Sequence, residues 1–259
     1  RFGGCKMKMP VLFVGHGSPM HAIADNEFSR AWRALVEALP RPRAILAVSA
    51  HWYVAGTRVN GAAQPRQIYD MYGFPQPLYQ LKYSAPGAPD LAARVQELLP
   101  EAAEDDRWGI DHGTWSVLCH MFPGADVPVT QLSVDEGAPA ESHFAIGRAL
   151  APLRDEGILI VASGNVVHNL RRVDWDMEGG MPWADEFDEY VCRAVLEDRP
   201  EDVVHYTRAG SSAREAFPTP DHYFPLLYAL GAREPGEAAE VFCKKRVLGS
   251  MSMTGYKFG

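Results

Sequence analysis

Two stretches decide the architecture: Pro10-Val11-Leu12-Phe13-Val14-Gly15-His16-Gly17 and Ala44-Ile45-Leu46-Ala47-Val48-Ser49-Ala50-His51. In both, the apolar residues are consecutive rather than alternating. That marks strands covered on both faces, as in parallel sheets. Working outward, Phe28, Ala31, Trp32, Leu35, Val36 and Leu39 recur at helical spacing, and Pro40 and Pro42 end that helix. Further strands are expected at Val127 to Val134 and Ile158 to Ala162, and helices around Leu91 to Leu99, Val117 to Met121, Phe144 to Leu153 and Phe187 to Val195. Thr219-Pro220 reads as the N-cap and first position of a helix through Leu226 and Leu227. Val241 to Phe258 reads as a β-hairpin packed on the sheet. The alternation predicts an α/β fold, a single domain with a mostly parallel central sheet flanked by helices and a C-terminal β-hairpin. Residues 1–8 are expected to be a disordered or appended tail, and residues 9–259 one catalytic domain. Between about Gly56 and Pro89 lies a strand and then a long ordered loop, of a length usually reserved for function.

Of the 259 residues, 47% are hydrophobic and 22% charged, enough apolar material for a sizeable core. The net charge of −8 and the lack of a basic stripe argue against a nucleic-acid partner. Lys244-Lys245-Arg246 is short and reads as a solvated strand edge. Cys5, Cys119, Cys192 and Cys243 are scattered, which excludes a Cys-x-x-Cys thiolate site and points to free thiols in a reducing compartment. No apolar run approaches the roughly 18–20 residues needed to cross a bilayer, and no hydrophobic signal segment follows Arg1. A cytoplasmic protein without a membrane partner is the expectation.

The chemistry lies in the histidines. His16, His51 and His168 sit at or shortly beyond apolar strands, where sites form in parallel sheets, and His222 opens the helix after Thr219-Pro220. Three or four neutral imidazoles would hold a single Fe(II) or Zn(II) and leave positions for substrate or water. Asp221 or Asn169 could orient a ligand imidazole. His21, His120, His143 and His205 lack such contexts and read as structural or exposed. His112, beside Asp111 and flanked by Trp108 and Trp115, is equally readable as a general acid/base or as a packing residue. Trp52, Tyr69, Tyr72 and Phe74 read at least as readily as core residues as they do as walls of a pocket. Arg66, Arg171 and Arg172 read as surface arginines or as candidates to meet a ligand carboxylate.

Five segments in order carry a resemblance: Gly-His-Gly-Ser-Pro-Met at 15–20, Ser-Ala-His-Trp at 49–52, Asp-His-Gly-Thr-Trp at 111–115, Ser-Gly-Asn-Val-Val-His-Asn-Leu at 163–170 and Thr-Pro-Asp-His-Tyr-Phe-Pro-Leu-Leu at 219–227. Together they resemble the DOPA 4,5-dioxygenase branch of the class III extradiol ring-cleavage dioxygenases. The resemblance implies insertion of both atoms of O₂ into a small aromatic diol, a catechol, at a non-haem metal. It implies His16, His51 and His222 as metal ligands, His168 as a fourth ligand or a pocket base, and His112 over the substrate. Fe(II) is expected for activity. The wider class commonly uses two histidines and one carboxylate, yet no Glu lies in any of the five segments, and an all-imidazole site also accepts Zn(II). A zinc-dependent hydrolase, with bound water brought to a pKa of about 7, is the alternative at the same histidines.

Overall fold

A computed structural model describes residues 8–259; the expected tail apart from Lys8, and Cys5, lie outside the described residues. The chain begins with β1 (Val11–Gly15), a 3₁₀ turn, α1 (Glu27–Glu37), β2 (Ala44–Val54) and β3 (Arg58–Val59). Then come α2 (Gln76–Gln80), α3 (Pro89–Leu98), β4 (Ala103–Glu104), α4 (His112–Met121), β5 (Val129–Asp135), α5 (Ala140–Leu150) and β6 (Ile158–Gly164). Helices α6 (Pro182–Leu196), α7 (Pro200–Val204), α8 (Ser211–Ala216) and α9 (Phe224–Ala232) follow. Strands β7 (Ala239–Phe242), β8 (Arg246–Val247), β9 (Met251–Ser252) and β10 (Gly255–Phe258) close the chain.

The main sheet has the order β4-β3-β5-β2-β6-β1-β10-β7. Its centre, β5-β2-β6-β1, is parallel throughout. The expected C-terminal hairpin is present: β10 lies antiparallel on β1, and β7 antiparallel on β10. Alternate residues of the central strands feed two separate cores. Val11 and Phe13 pack with α3, α5, α6 and α9, whereas Leu12 and Val14 pack with α1 and α4. Both faces are therefore covered, which is why these strands read as unbroken apolar runs. Helix α1 starts where Asn26 and Ser29 form a reciprocal cap and stops ahead of Pro40.

Three local expectations change. Strand β2 does not end before His51 but runs on to Val54, with a register irregularity against β5 between Val48 and Tyr53. Thr219-Pro220 opens only a 3₁₀ turn, Pro220–His222. The Thr219 hydroxyl bonds Asp221 instead of a helix amide, and α9 starts at Phe224 with Pro225 in its first turn. The long loop after β3 contains α2. Helices α7 and α8, five and six residues long, are too short to show a 3.6-residue period. Among the described residues no helix is long and apolar enough to cross a membrane, and Cys119, Cys192 and Cys243 are free. Lys244, Lys245 and Arg246 pair with Glu189, Glu27 and Asp185, so they form no free basic patch.

Candidate metal centre

At the carboxyl end of the parallel strands, five histidines surround one cavity of about 380 Å³. His16 follows β1 directly, and its backbone N–H is held by the Gly164 carbonyl at the end of β6. His51 sits in the irregular part of β2, beyond the last residues paired with β6, and such irregularities re-aim side chains near sites. His222 ends the 3₁₀ turn after Pro220, and its carbonyl accepts the Asn165 N–H at 2.8 Å. Close approach of α4 to His51 depends on Gly113, where a Cβ would lie 2.5 Å from Ser49 Oγ and 3.0 Å from the His51 ring.

His16, His51 and His222 each offer a ring nitrogen within 4.8 Å of the others. The Nε2 atoms of His16 and His51 are 3.2 Å apart, and His222 Nε2 is buried without any partner. Their Nδ1 atoms all face oxygens. His16 Nδ1 lies 2.9 Å from Ser163 Oγ, His222 Nδ1 lies 2.6 Å from Asp221 Oδ2, and His51 Nδ1 lies 3.3 Å from Asp70 Oδ2. Ser163 in turn donates to the Gly113 carbonyl at 2.5 Å. Three rings thus share one pattern: Nδ1 lies against an oxygen, and each ring brings a nitrogen to within 4.8 Å of the others. A buried Nε2 with nothing to bond is costly unless something else meets it. Outer oxygens that fix the tautomer are the usual companions of metal-binding imidazoles. A divalent cation fits these residues.

Burial, reinforced by neighbouring imidazoles, pushes His16 and His222 well below their ordinary value. Burial lowers His51 to about 3 and His168 to about 4. All four are therefore neutral near pH 7, the form that ligates metals and accepts protons. His168 stacks on His222 with ring centroids 3.5 Å apart and planes within 3°. His168 is not in the group of three whose ring nitrogens converge within 4.8 Å. His112 opens α4 and lines the cavity, its ring 3.9 Å from that of His51.

Its carboxylate neighbour differs from the expectation. Asp111 caps α4 and accepts from Ser49 Oγ (2.6 Å), Gln131 Nε2 (2.6 Å), Trp108 Nε1 (2.9 Å) and the Gly113 N–H (3.0 Å). With its oxygens committed, it anchors the helix rather than serving His112. The carboxylate at His112 is Asp70, in the long loop, 2.9 Å from His112 Nδ1 and accepting the His112 backbone N–H at 2.9 Å. No motif marks Asp70 in the sequence; only the length of its loop hinted at a role.

Of the aromatic candidates, Tyr72 and Phe74 line the cavity. Trp52 is buried away from it, and the Tyr69 hydroxyl is engaged by the Leu81 carbonyl. Asn169 is turned to the Glu215 carbonyl instead of a ligand imidazole. Arg66 bonds the Arg107 carbonyl and Arg172 pairs with Glu215; neither they nor Arg171 lines the cavity. The rim is apolar: Tyr72, Leu170 and Trp175, which are 92%, 61% and 79% exposed, stand around the opening. His21, His120 and His143 are held elsewhere by Asn26, Arg33 and Tyr228, and His205 is half-buried near Glu141.

Residues 9–259 match the family model of the catalytic LigB subunit of aromatic ring-opening dioxygenase. The chain is 47% identical over 262 residues to the 4,5-DOPA dioxygenase extradiol of Escherichia coli (strain K12), covering 97% of this chain and 95% of that protein. It is 40% identical to the protein of the same name from Beta vulgaris, covering 95% of each. A crystal structure of an uncharacterized Escherichia coli K12 protein superposes with a TM-score of 0.85 at 44% identity, covering 97% of this chain and all of that one. With residues 9 to 259 matched end to end, this chain belongs to the LigB family of aromatic ring-opening dioxygenases and is an extradiol dioxygenase.

Proposed function

We propose that the chain opens the ring of a 3,4-dihydroxyphenyl substrate, DOPA being the one in its relatives' names, at a metal held by His16, His51 and His222. The observation that carries the ligand set is the shared arrangement of three converging imidazoles, each with Nδ1 against an oxygen, which leaves Nε2 for a common cation. Enzymes of this family are metal-dependent. Fe(II) is our choice for oxygen chemistry, and Zn(II) fits the same all-nitrogen set without supplying the redox step. Held there, such a metal would supply Lewis-acid chemistry and an electron path to O₂.

The chain's own residues do the rest. His168 is neutral, stacks on His222 and lies outside the converging group of three, so we assign it to the proton rather than the metal. It takes the proton from a catechol hydroxyl as the diol enters. His112, at the start of α4 and on the cavity wall, exchanges a proton with the oxygen developing at the ring carbon under attack. Met71, Phe74 and Met251 surround the ring and exclude water, while Tyr72, Leu170 and Trp175 receive its substituent at the rim.

The assignment is tested by metal content and turnover measured together. His16→Ala, His51→Ala and His222→Ala are expected to lose stoichiometric metal, while His112→Ala and His168→Gln keep it and lose most turnover. Full metal retention in a ligand variant would defeat the ligand set. Wild-type turnover in His112→Ala would remove that residue from the chemistry.

A further inference from the structure

Asp70 stands outside every motif, yet its two oxygens face two different functional rings. Oδ1 is 2.9 Å from His112 Nδ1 and also accepts the His112 backbone N–H at 2.9 Å. Oδ2 is 3.3 Å from His51 Nδ1. The carboxylate side chain is 12% exposed and the His112 side chain 6%. His112 Nδ1 and Asp70 Oδ2 are buried with no aligned hydrogen-bond partner among the described residues. Buried polar atoms are rarely left so, and each lies within reach of a complementary group across the Asp70 carboxylate.

Resting on the ligand set proposed above, we infer that Asp70 is the positioning residue that fixes the tautomers of His51 and His112 together. By receiving an N–H from each Nδ1, it leaves His51 Nε2 for the metal and His112 Nε2 as that ring's acceptor. The two other ligands have separate outer partners, Ser163 for His16 and Asp221 for His222. Among the described residues Asp70 alone faces a ligand and a proton-transfer ring at once, so one side chain sets both the metal's third nitrogen and the orientation of the proton carrier. Metal–histidine–carboxylate pairs of this kind typically contribute roughly 10–100-fold in metal affinity or activity. Packing against the Asp70 carboxylate also explains why the backbone N–H of the first α4 residue points at it, since a carboxylate is favoured at a helix N-terminus.

The test is nitrogen NMR of the zinc-loaded protein carrying isotopically labelled histidine, together with zinc affinity by chelator competition. In the wild type, His51 and His112 are expected as Nδ1-protonated rings, with one zinc per chain. Asp70→Asn should weaken zinc roughly 10–100-fold and let His112 populate the other tautomer, and Asp70→Glu should recover part of both. The iron-loaded Asn variant should lose kcat more than it raises KM. An Nε2-protonated His112 in the wild type would overturn the inference without any variant having to fold. So would zinc affinity within twofold of wild type in Asp70→Asn, or a second zinc per chain lost in that variant, which would make Asp70 a ligand. Failure to cleave any catechol would count against the proposed reaction, whereas these readouts would still decide Asp70.

Discussion

Adding a single methyl group at Gly164 probes how the ligand loop is seated. Gly164 ends β6, its carbonyl holds the His16 N–H, and the next residue, Asn165, donates to the His222 carbonyl. A Cβ at Gly164 would lie 2.1 Å from that His222 oxygen and 3.1 Å from its carbonyl carbon, both backbone atoms. Side-chain carbons essentially never approach closer than 3.0 Å, so the shortfall is 3.0 − 2.1 = 0.9 Å. Either β6 or the His222 turn must move by that amount. Metal–ligand distances tolerate only about 0.2 Å, so a shift of this size degrades one of three nitrogens. We expect Gly164→Ala to weaken zinc by at least roughly 10-fold, the lower end for disturbed ligand support, and to cost about 1–3 kcal/mol in overpacking. Gly179→Ala is the control, because nothing lies within 4 Å of its added carbon. Chelator competition and urea unfolding of the two variants decide. If Gly164→Ala binds zinc within twofold of wild type, the seating of His222 against β6 does not govern the site.

Two further outcomes follow from the same geometry. Trp175→Ala removes an exposed rim residue, so stability should hold while KM rises about fivefold, or about 1 kcal/mol, for a catechol with a bulky substituent; an equal rise for unsubstituted catechol would detach the rim from substituent binding. Burial holds His51 at about 3 and His168 at about 4, below the 6.5 of the exposed group. Below pH 6.5 the unfolded chain therefore takes up protons that the native metal-free protein excludes, and stability falls as the pH drops. The loss is at most about 2 kcal/mol per histidine by pH 5. Urea midpoints at pH 7 and pH 5 measure it, and His168→Gln should flatten the slope; a midpoint unchanged with pH would contradict the burial argument.

What was legible in the sequence divides along physical lines. Val11 to Val14 and Ala44 to Val48 announce two-sided burial because a central parallel strand leaves no face for polar residues. His16 and His168 follow such runs and could be read as strand-end residues. His51 follows a run of the same kind, but it lies within β2, past the last residue paired with β6 and in a register irregularity against β5 that no local pattern encodes. Asp70 was invisible, because its partners are set by the path of a long loop and lie 42 residues away in His112. Asp111, adjacent to His112 in sequence, looked like the partner and is instead committed to Ser49, Gln131 and Trp108. Sequence adjacency put the carboxylate on the wrong residue because the first turn of α4 sends the two side chains to different neighbours.

The central claim is that an all-histidine centre in this chain carries out extradiol cleavage. It is tested most directly by loading the protein anaerobically with Fe(II) and then adding a catechol, with DOPA first in the panel, and isotopically labelled O₂. One O₂ consumed per catechol, a yellow ring-opened product carrying both labelled atoms, and no turnover when zinc replaces iron are expected. Stoichiometrically iron-loaded protein that consumes no O₂ with any catechol, or that cleaves esters or amides with zinc instead, would contradict it.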